Sequence, residues 1–221
     1  MFPNTPKTLQ PSSPTNHPDD AQDDKPIDVS AVFRRDNLVI PVSFWTPGDE
    51  EIQISRVMDK QNAATFKEHG TGDRYKILVC GIETYFFRIG DLWYDGHPSD
   101  DLLIPGIHTR HTGAYYGGKE IIDKRYDNPY KVRVRVAAVF QSNGDVVPYA
   151  FWWENGKLYE IDDVIGWERA ASVRAGIIGM RYAMRVRDRE TFMYRDDDLW
   201  FMERRKKGRE RVLDVHGRII V

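Results

Sequence analysis

The sequence predicts a mainly β protein made of two tandem homologous small β-barrel-like modules related by internal duplication. The stretch Gly72-x-Arg74-Tyr75, Glu83-Thr84, Leu92-Trp93 returns as Gly179-x-Arg181-Tyr182, Glu190-Thr191, Leu199-Trp200, 107 residues later throughout. Without a gap, residues 31–94 match residues 138–201 at 21 of 64 positions, where unrelated sequence gives roughly four. Short β-branched and aromatic runs, broken by turn formers every few residues, complete the signal. The chain divides into a Pro/Asp-rich tail (1–27), module one (28–96), a connector (97–130), module two (131–203) and a basic extension (204–221).

The tail holds six of the twelve prolines and four aspartates. With so little apolar surface to offset its ordering entropy, it is expected to be disordered. Module one opens with Val29-Ser30-Ala31-Val32-Phe33, matched by a run ending at Ala138-Val139-Phe140, and each run meets a turn, Asp36-Asn37 or Asn143-Gly144. The second strand carries Val39, Pro41, Phe44 and Trp45, echoed by Val146, Pro148, Phe151 and Trp152. A proline at the same place in both copies predicts an edge or a bulge there, because it has no N–H to give to a ladder. A third strand follows at 52–57 and 159–164, and then a loop with one helical turn over 59–72 and 166–179. The Arg-Tyr stretch alternates strongly over 74–79 and 181–186 and begins a hairpin that turns at Cys80-Gly81 or Arg187-Asp188. The strands from Thr84 and Thr191 return, and Leu92-Trp93-Tyr94 or Leu199-Trp200-Phe201 closes each module. Closure into a small barrel is the ordinary answer to exposed strand edges.

With 41% hydrophobic and 12% aromatic residues, two compact cores are expected. Trp45, Trp93, Trp152 and Trp200 are their anchors. Arg74 with Glu83, and Arg181 with Glu190, read as cross-strand pairs, with Tyr75, Tyr182, Thr84 and Thr191 as strand formers. One cysteine, Cys80, rules out an intramolecular disulfide framework. The opening residues lack a signal-peptide apolar region, and no run is long enough to span a bilayer, so a cytoplasmic, non-membrane protein is expected.

Phosphate loops, dinucleotide fingerprints and nucleophile elbows are absent from the sequence. No catalytic residue and no cofactor is therefore assigned. His97, His108 and His111, among connector carboxylates, are weak candidate Zn²⁺ ligands. A net charge of −2 gives no global pull towards nucleic acid. A local one is available: Lys131, Arg133 and Arg135 alternate with valines on the first strand of module two. Arg185, Arg187 and Arg189 join them only if the strands are neighbours. The repeated pattern V-x-P-x-x-F-W, G-x-R-Y, E-T, L-W-[YF] resembles small uncharacterised bacterial β-domains known mostly as conserved hypothetical proteins. The resemblance implies a small mainly β fold and carries no activity or site. The expected role is that of a non-enzymatic binding or adaptor protein, its partner protein rather than nucleic acid by a narrow margin. The rival is an enzyme with a site between the modules that uses the His/Asp-rich connector.

Overall fold

A computed structural model describes residues 25–65, 71–96, 101–103, 128–172, 176–204, 212–213 and 219–220. Every regular element among them is a strand, and among them no helix is long and apolar enough to cross a membrane. Most of the tail and connector, the three connector histidines and much of the basic extension lie outside the described residues.

The first half runs β1 (Val29–Phe33), β2 (Val39–Trp45), β3 (Glu51–Gln53), β4 (Arg56–Thr65), β5 (Thr71–Val79), β6 (Ile82–Ile89) and β7 (Leu92–Gly96). After β8 (Asp101–Leu103), the second half runs β9 (Lys131–Phe140), β10 (Val146–Trp152), β11 (Leu158–Glu160), β12 (Asp163–Ser172), β13 (Ile177–Val186), β14 (Arg189–Asp196) and β15 (Leu199–Glu203). A two-stranded hairpin, β16 (Val212–Leu213) with β17 (Ile219–Ile220), follows.

Both expected prolines sit at bulges. Pro41 stands opposite Ala31 where the β1–β2 register slips, and Pro148 opposite Ala138 where the β9–β10 register slips. The extra residue in each case, Val42 or Tyr149, absorbs the step that the missing N–H forces. The loop expected over 59–72 is instead a long β4–β5 hairpin, and that over 166–179 the matching β12–β13 hairpin. Alanines, lysine and glutamine are weak strand formers, but pairing along a strongly alternating neighbour overrides local preference. Part of the connector is also ordered, since β8 pairs with β4.

Among the described residues no closed barrel is found. The edge of β1 that would close the first half pairs instead with β9 of the second, and closure within the half reduces, among those residues, to the bridge from Ile27 to Trp93. β9 divides its length the same way: residues 131–134 pair with β15 of its own half and residues 136–140 with β1. The result is one sheet in the order β12-β13-β14-β15-β9-β1-β2-β3 with β10 and β11 attached through β9, and a second in the order β7-β6-β5-β4-β8.

At the centre of the β1–β9 ladder Ala31 lies opposite Ala138, with Val29 opposite Phe140 and Phe33 opposite Val136. Ala31 and Ala138 are themselves 107 residues apart, so the strands meet counterpart to counterpart. The main core is a single cluster drawn from both halves, not the two cores expected, with Phe33, Tyr75, Phe86 and Trp93 packed against Phe140, Tyr182, Met184 and Trp200, and a small separate cluster of Tyr194 and Phe201 beside it. Phe33 stacks on Phe140 at 5.1 Å. Each then meets the other half's tryptophan edge-on, Phe33 with Trp200 at 5.5 Å and Phe140 with Trp93 at 5.6 Å.

Gly72 on β5 and Gly179 on β13 allow the closest approach in the hairpins. A Cβ on Gly72 would land inside the shell of the Arg88 carbonyl, and one on Gly179 inside that of Arg195, whereas a Cβ on Gly166 would meet open space. Gly179→Ala is therefore expected to destabilise the protein by about 1–3 kcal/mol, the usual cost of overpacking, with Gly166→Ala near neutral. Thermal unfolding of the two variants reads the difference, and equal midpoints would refute the close-approach argument.

Candidate functional site

The site grows from two hairpin ends. β6 finishes Phe86-Phe87-Arg88 and turns through Gly90-Asp91, and β14 finishes Met193-Tyr194-Arg195 and turns through Asp197-Asp198. The turns need a left-handed residue, supplied by Gly90 at φ 57° in one and by Asp197 at φ 51° in the other. Aspartate is among the few side chains that tolerate this region. Each turn thus delivers an aspartate two residues beyond a strand that carries a buried arginine.

The two ends engage each other. Arg88 Nη1 donates to Asp198 Oδ2 at 2.9 Å, and its other terminal nitrogen donates to Oδ1. Arg195 Nη1 donates to Asp91 Oδ2 at 2.9 Å, again with the second nitrogen on the second oxygen. Arg88 and Arg195 are 107 residues apart, as are Asp91 and Asp198, so the two bidentate pairs are reciprocal: each half gives its arginine and receives the other's. This is the pattern of an isologous, twofold contact. Under the guanidiniums lie aromatic faces, Phe140 5.0 Å from Arg88 and Phe33 5.5 Å from Arg195. Such a site suits arginine, whose planar fork matches a carboxylate and whose weakly hydrated face stacks on rings. Burial works against both charges, but the hydrogen bond and field of the facing aspartate outweigh it, and both guanidiniums are held above their ordinary pKa. The Tyr182 phenol beside Arg195 is pushed up by burial, which the arginine partly offsets.

Above these pairs opens a cleft of about 800 Å³ lined by both halves. Its base repeats at the 107-residue spacing, Gly72 with Gly179, Arg88 with Arg195 and Asp91 with Asp198, while the exposed Gly90 has a different residue, Asp197, at that spacing. Its walls do not. The first half contributes Asn62 and Asp73, and the second puts Arg169 and Met180 at the corresponding places, together with the exposed Ile178. Five carboxylates and three guanidiniums line the space. Two of each are spent in the reciprocal pairs, and Lys60 holds Asp73 at 2.7 Å. Asp196 and Asp197 remain against Arg169, a small acidic excess.

The other predicted residues scatter. Trp93 and Trp200 are buried and pack on Tyr75 and Tyr182 at 4.9 and 5.0 Å, while Trp45 and Trp152 are only half-buried. Trp93 Nε1 and Trp200 Nε1 are both buried without a hydrogen-bond partner among the described residues. The expected Arg–Glu pairs do not form. Arg74 stands opposite Phe87 and Glu83 opposite Leu78, four residues out of step along the ladder, and Glu83 pairs with Lys76 at 2.5 Å. Likewise Arg181 pairs with Glu168, and Glu190 lies opposite Arg185. Thr84 and Thr191 are strand residues, as expected.

Lys131, Arg133 and Arg135 do alternate with the buried Val132, Val134 and Val136. Lys131 nevertheless lies on the Phe201 ring at 3.8 Å, its pKa lowered by burial, and Arg135 lies over Trp152 at 5.7 Å. Arg185 and Arg187 do not join them: β14 and β15 separate β13 from β9, and Arg187 covers Tyr159 at 4.9 Å. Cys80 is exposed in the β5–β6 turn at φ 50°, matching Arg187 at φ 51°. Arg88, Asp91, Arg195 and Asp198 were not singled out in the sequence. The signal was present, since residues 88 and 91 recur at 195 and 198, but a charged residue in a strand reads as solvent-facing.

Comparison with the models of known families, with curated proteins and with solved structures found no match.

The reciprocal pairs can be weighed by substitution. Asp198→Leu, which strands Arg88 in the interior, is expected to cost roughly 2–3 kcal/mol, the buried-pair range discounted for the carboxylate's exposed edge. Adding Arg88→Met should recover at least part of that loss. Denaturant unfolding of the two singles and the double measures the coupling, and additive losses would show that the pair is not a unit.

Proposed function

We propose that the chain is a tandem duplicate, two curled β units of the kind seen in small bacterial β-domains, joined as a pseudo-twofold pair. On this reading it is a non-enzymatic binding protein that recognises its partner in the cleft over the seam. The observation that carries the proposal is the contrast between the cleft's base and its walls. Base contacts that recur at one spacing hold the halves together. Walls that differ, Asn62 and Asp73 against Arg169, Met180 and Ile178, offer one ligand two unlike surfaces. A symmetric scaffold with unequal walls suits an unsymmetrical ligand.

The partner that fits is an extended protein segment with a cationic side chain next to an apolar one. Its cation would face Asp196 and Asp197 and its apolar group Ile178 and Met180. Nucleic acid fits less well, because phosphates would meet the same aspartates. The cations of β9 are also partly occupied by Phe201 and Trp152. An enzyme sited in this cleft is the rival. Its two deepest arginines are already clamped by carboxylates, which favours holding over proton transfer.

The test is co-purification of macromolecules with the native protein at low and high salt, repeated with two variants. Asp196→Lys with Ile178→Asp, both exposed positions, should reduce captured protein at least tenfold. Arg133→Glu with Arg135→Glu should leave capture unchanged. Loss of a salt-sensitive nucleic acid in the second variant alone would move the function to β9.

A further inference from the structure

The outer edge of β4 is covered by the chain itself. β8 runs antiparallel along it, with Ala63 opposite Leu103, Ala64 opposite Leu102 and Thr65 opposite Asp101. The corresponding edge in the second half belongs to β12, at Ala170, Ala171 and Ser172. Among the described residues β12 pairs only with β13 and stands at the end of its sheet. Among the described residues the outer edge of β12 at Ala170 and Ala171 meets no other strand, and such an edge attracts pairing from an extended segment.

Two further observations name the segment. Ser172 Oγ donates to Glu203 Oε1, so the last residue of β15 lies against the last residue of β12. The chain therefore leaves the body of the second half beside the open edge, as it leaves the first half at Gly96 shortly before β8. Farther on, β16 and β17 pair with each other and, among the described residues, with nothing else. A lone two-stranded hairpin is marginal in water, and a third strand is what such a hairpin needs. β16 has one edge taken by β17 and one open. Eight residues, 204–211, separate β15 from β16. Arg204 N donates to Tyr130 O at 2.9 Å and so stays beside β9, leaving the seven residues 205–211 a reach of about 24 Å fully extended, ample for strands whose ends already touch through a side-chain hydrogen bond.

We infer that β16 docks on the open edge of β12 as β8 does on β4, antiparallel and with its pairing to β17 kept, giving the order β17-β16-β12-β13. No ladder pairing among the described residues has to break, and the addition gives three needs one solution: an edge strand, a lone hairpin and a chain exit placed between them. The placement uses the 107-residue correspondence of the proposed duplication, but its own test is independent of that history and of what the cleft binds.

The experiment uses the full chain with Cys80→Ser, which removes the sole thiol. Ala171→Cys with Val212→Cys is compared under mild oxidation with Ile82→Cys and Val212→Cys, Ile82 being exposed at the β5–β6 end of the other half. The first pair should form an intramolecular disulfide in most molecules and the second in few. Because a register one residue off would defeat the bridge, amide exchange at 170–172 is read alongside. Those amides should exchange at least tenfold faster when Val212→Pro and Leu213→Pro are introduced together. Docking in a shifted register gives that acceleration without the disulfide and supports the inference. A predominantly intermolecular disulfide, which assigns the edge to a second copy, would overturn it, as would unchanged exchange at 170–172.

Discussion

Two guanidiniums buried at the meeting of the halves set the terms for the rest of the molecule. A charge removed from water is tolerated only when a partner meets it with good geometry, and here the bidentate partner comes from the other half, while Asp91 near Arg88 and the Asp197 carbonyl on Arg195 Nε add contacts within each half. The aromatic faces beneath, the close-approach glycines and the left-handed turn residues all serve to place four side chains within hydrogen-bonding reach. The β1–β9 ladder supplies the reference: about Ala31 opposite Ala138, the pair Val29–Phe140 on one side is matched by Phe33–Val136 on the other.

The strands were legible in the sequence wherever alternation and turn chemistry agreed, as at Tyr75, Ile77 and Val79 or Tyr182 and Met184. The bulges were legible from Pro41 and Pro148. The β4–β5 and β12–β13 hairpins were not, because Ala63, Ala64, Ala170 and Ala171 say little about pleat until a neighbouring strand supplies the pairing. Closure was misread for a related reason. Local pattern identifies a strand with two edges but not which distant strand takes each edge, and β1 is paired across the molecule. The candidate site was visible only as identities at 88, 91, 195 and 198, and their meaning depends on a register that no single segment encodes.

Constancy and divergence divide along the depth of the cleft. Near the seam, where a change in one half must be matched in the other, the same residue types stand on both sides. Farther out, where side chains face solvent or a ligand, Asn62 stands against Arg169 and Asp73 against Met180. That gradient is what mutual steric and electrostatic constraint at the seam leaves free to vary.

The self-complementarity of β1 and β9 also bears on how the chain reaches this state. Their partners are more than a hundred residues apart, so the decisive ladder forms late and at a high entropic cost of loop closure. Until it does, each half displays an edge whose ideal mate is its own kind, and a neighbouring molecule carries two of them. In concentrated solution the same ladder can form between polypeptides, making exchanged dimers the natural by-product of refolding.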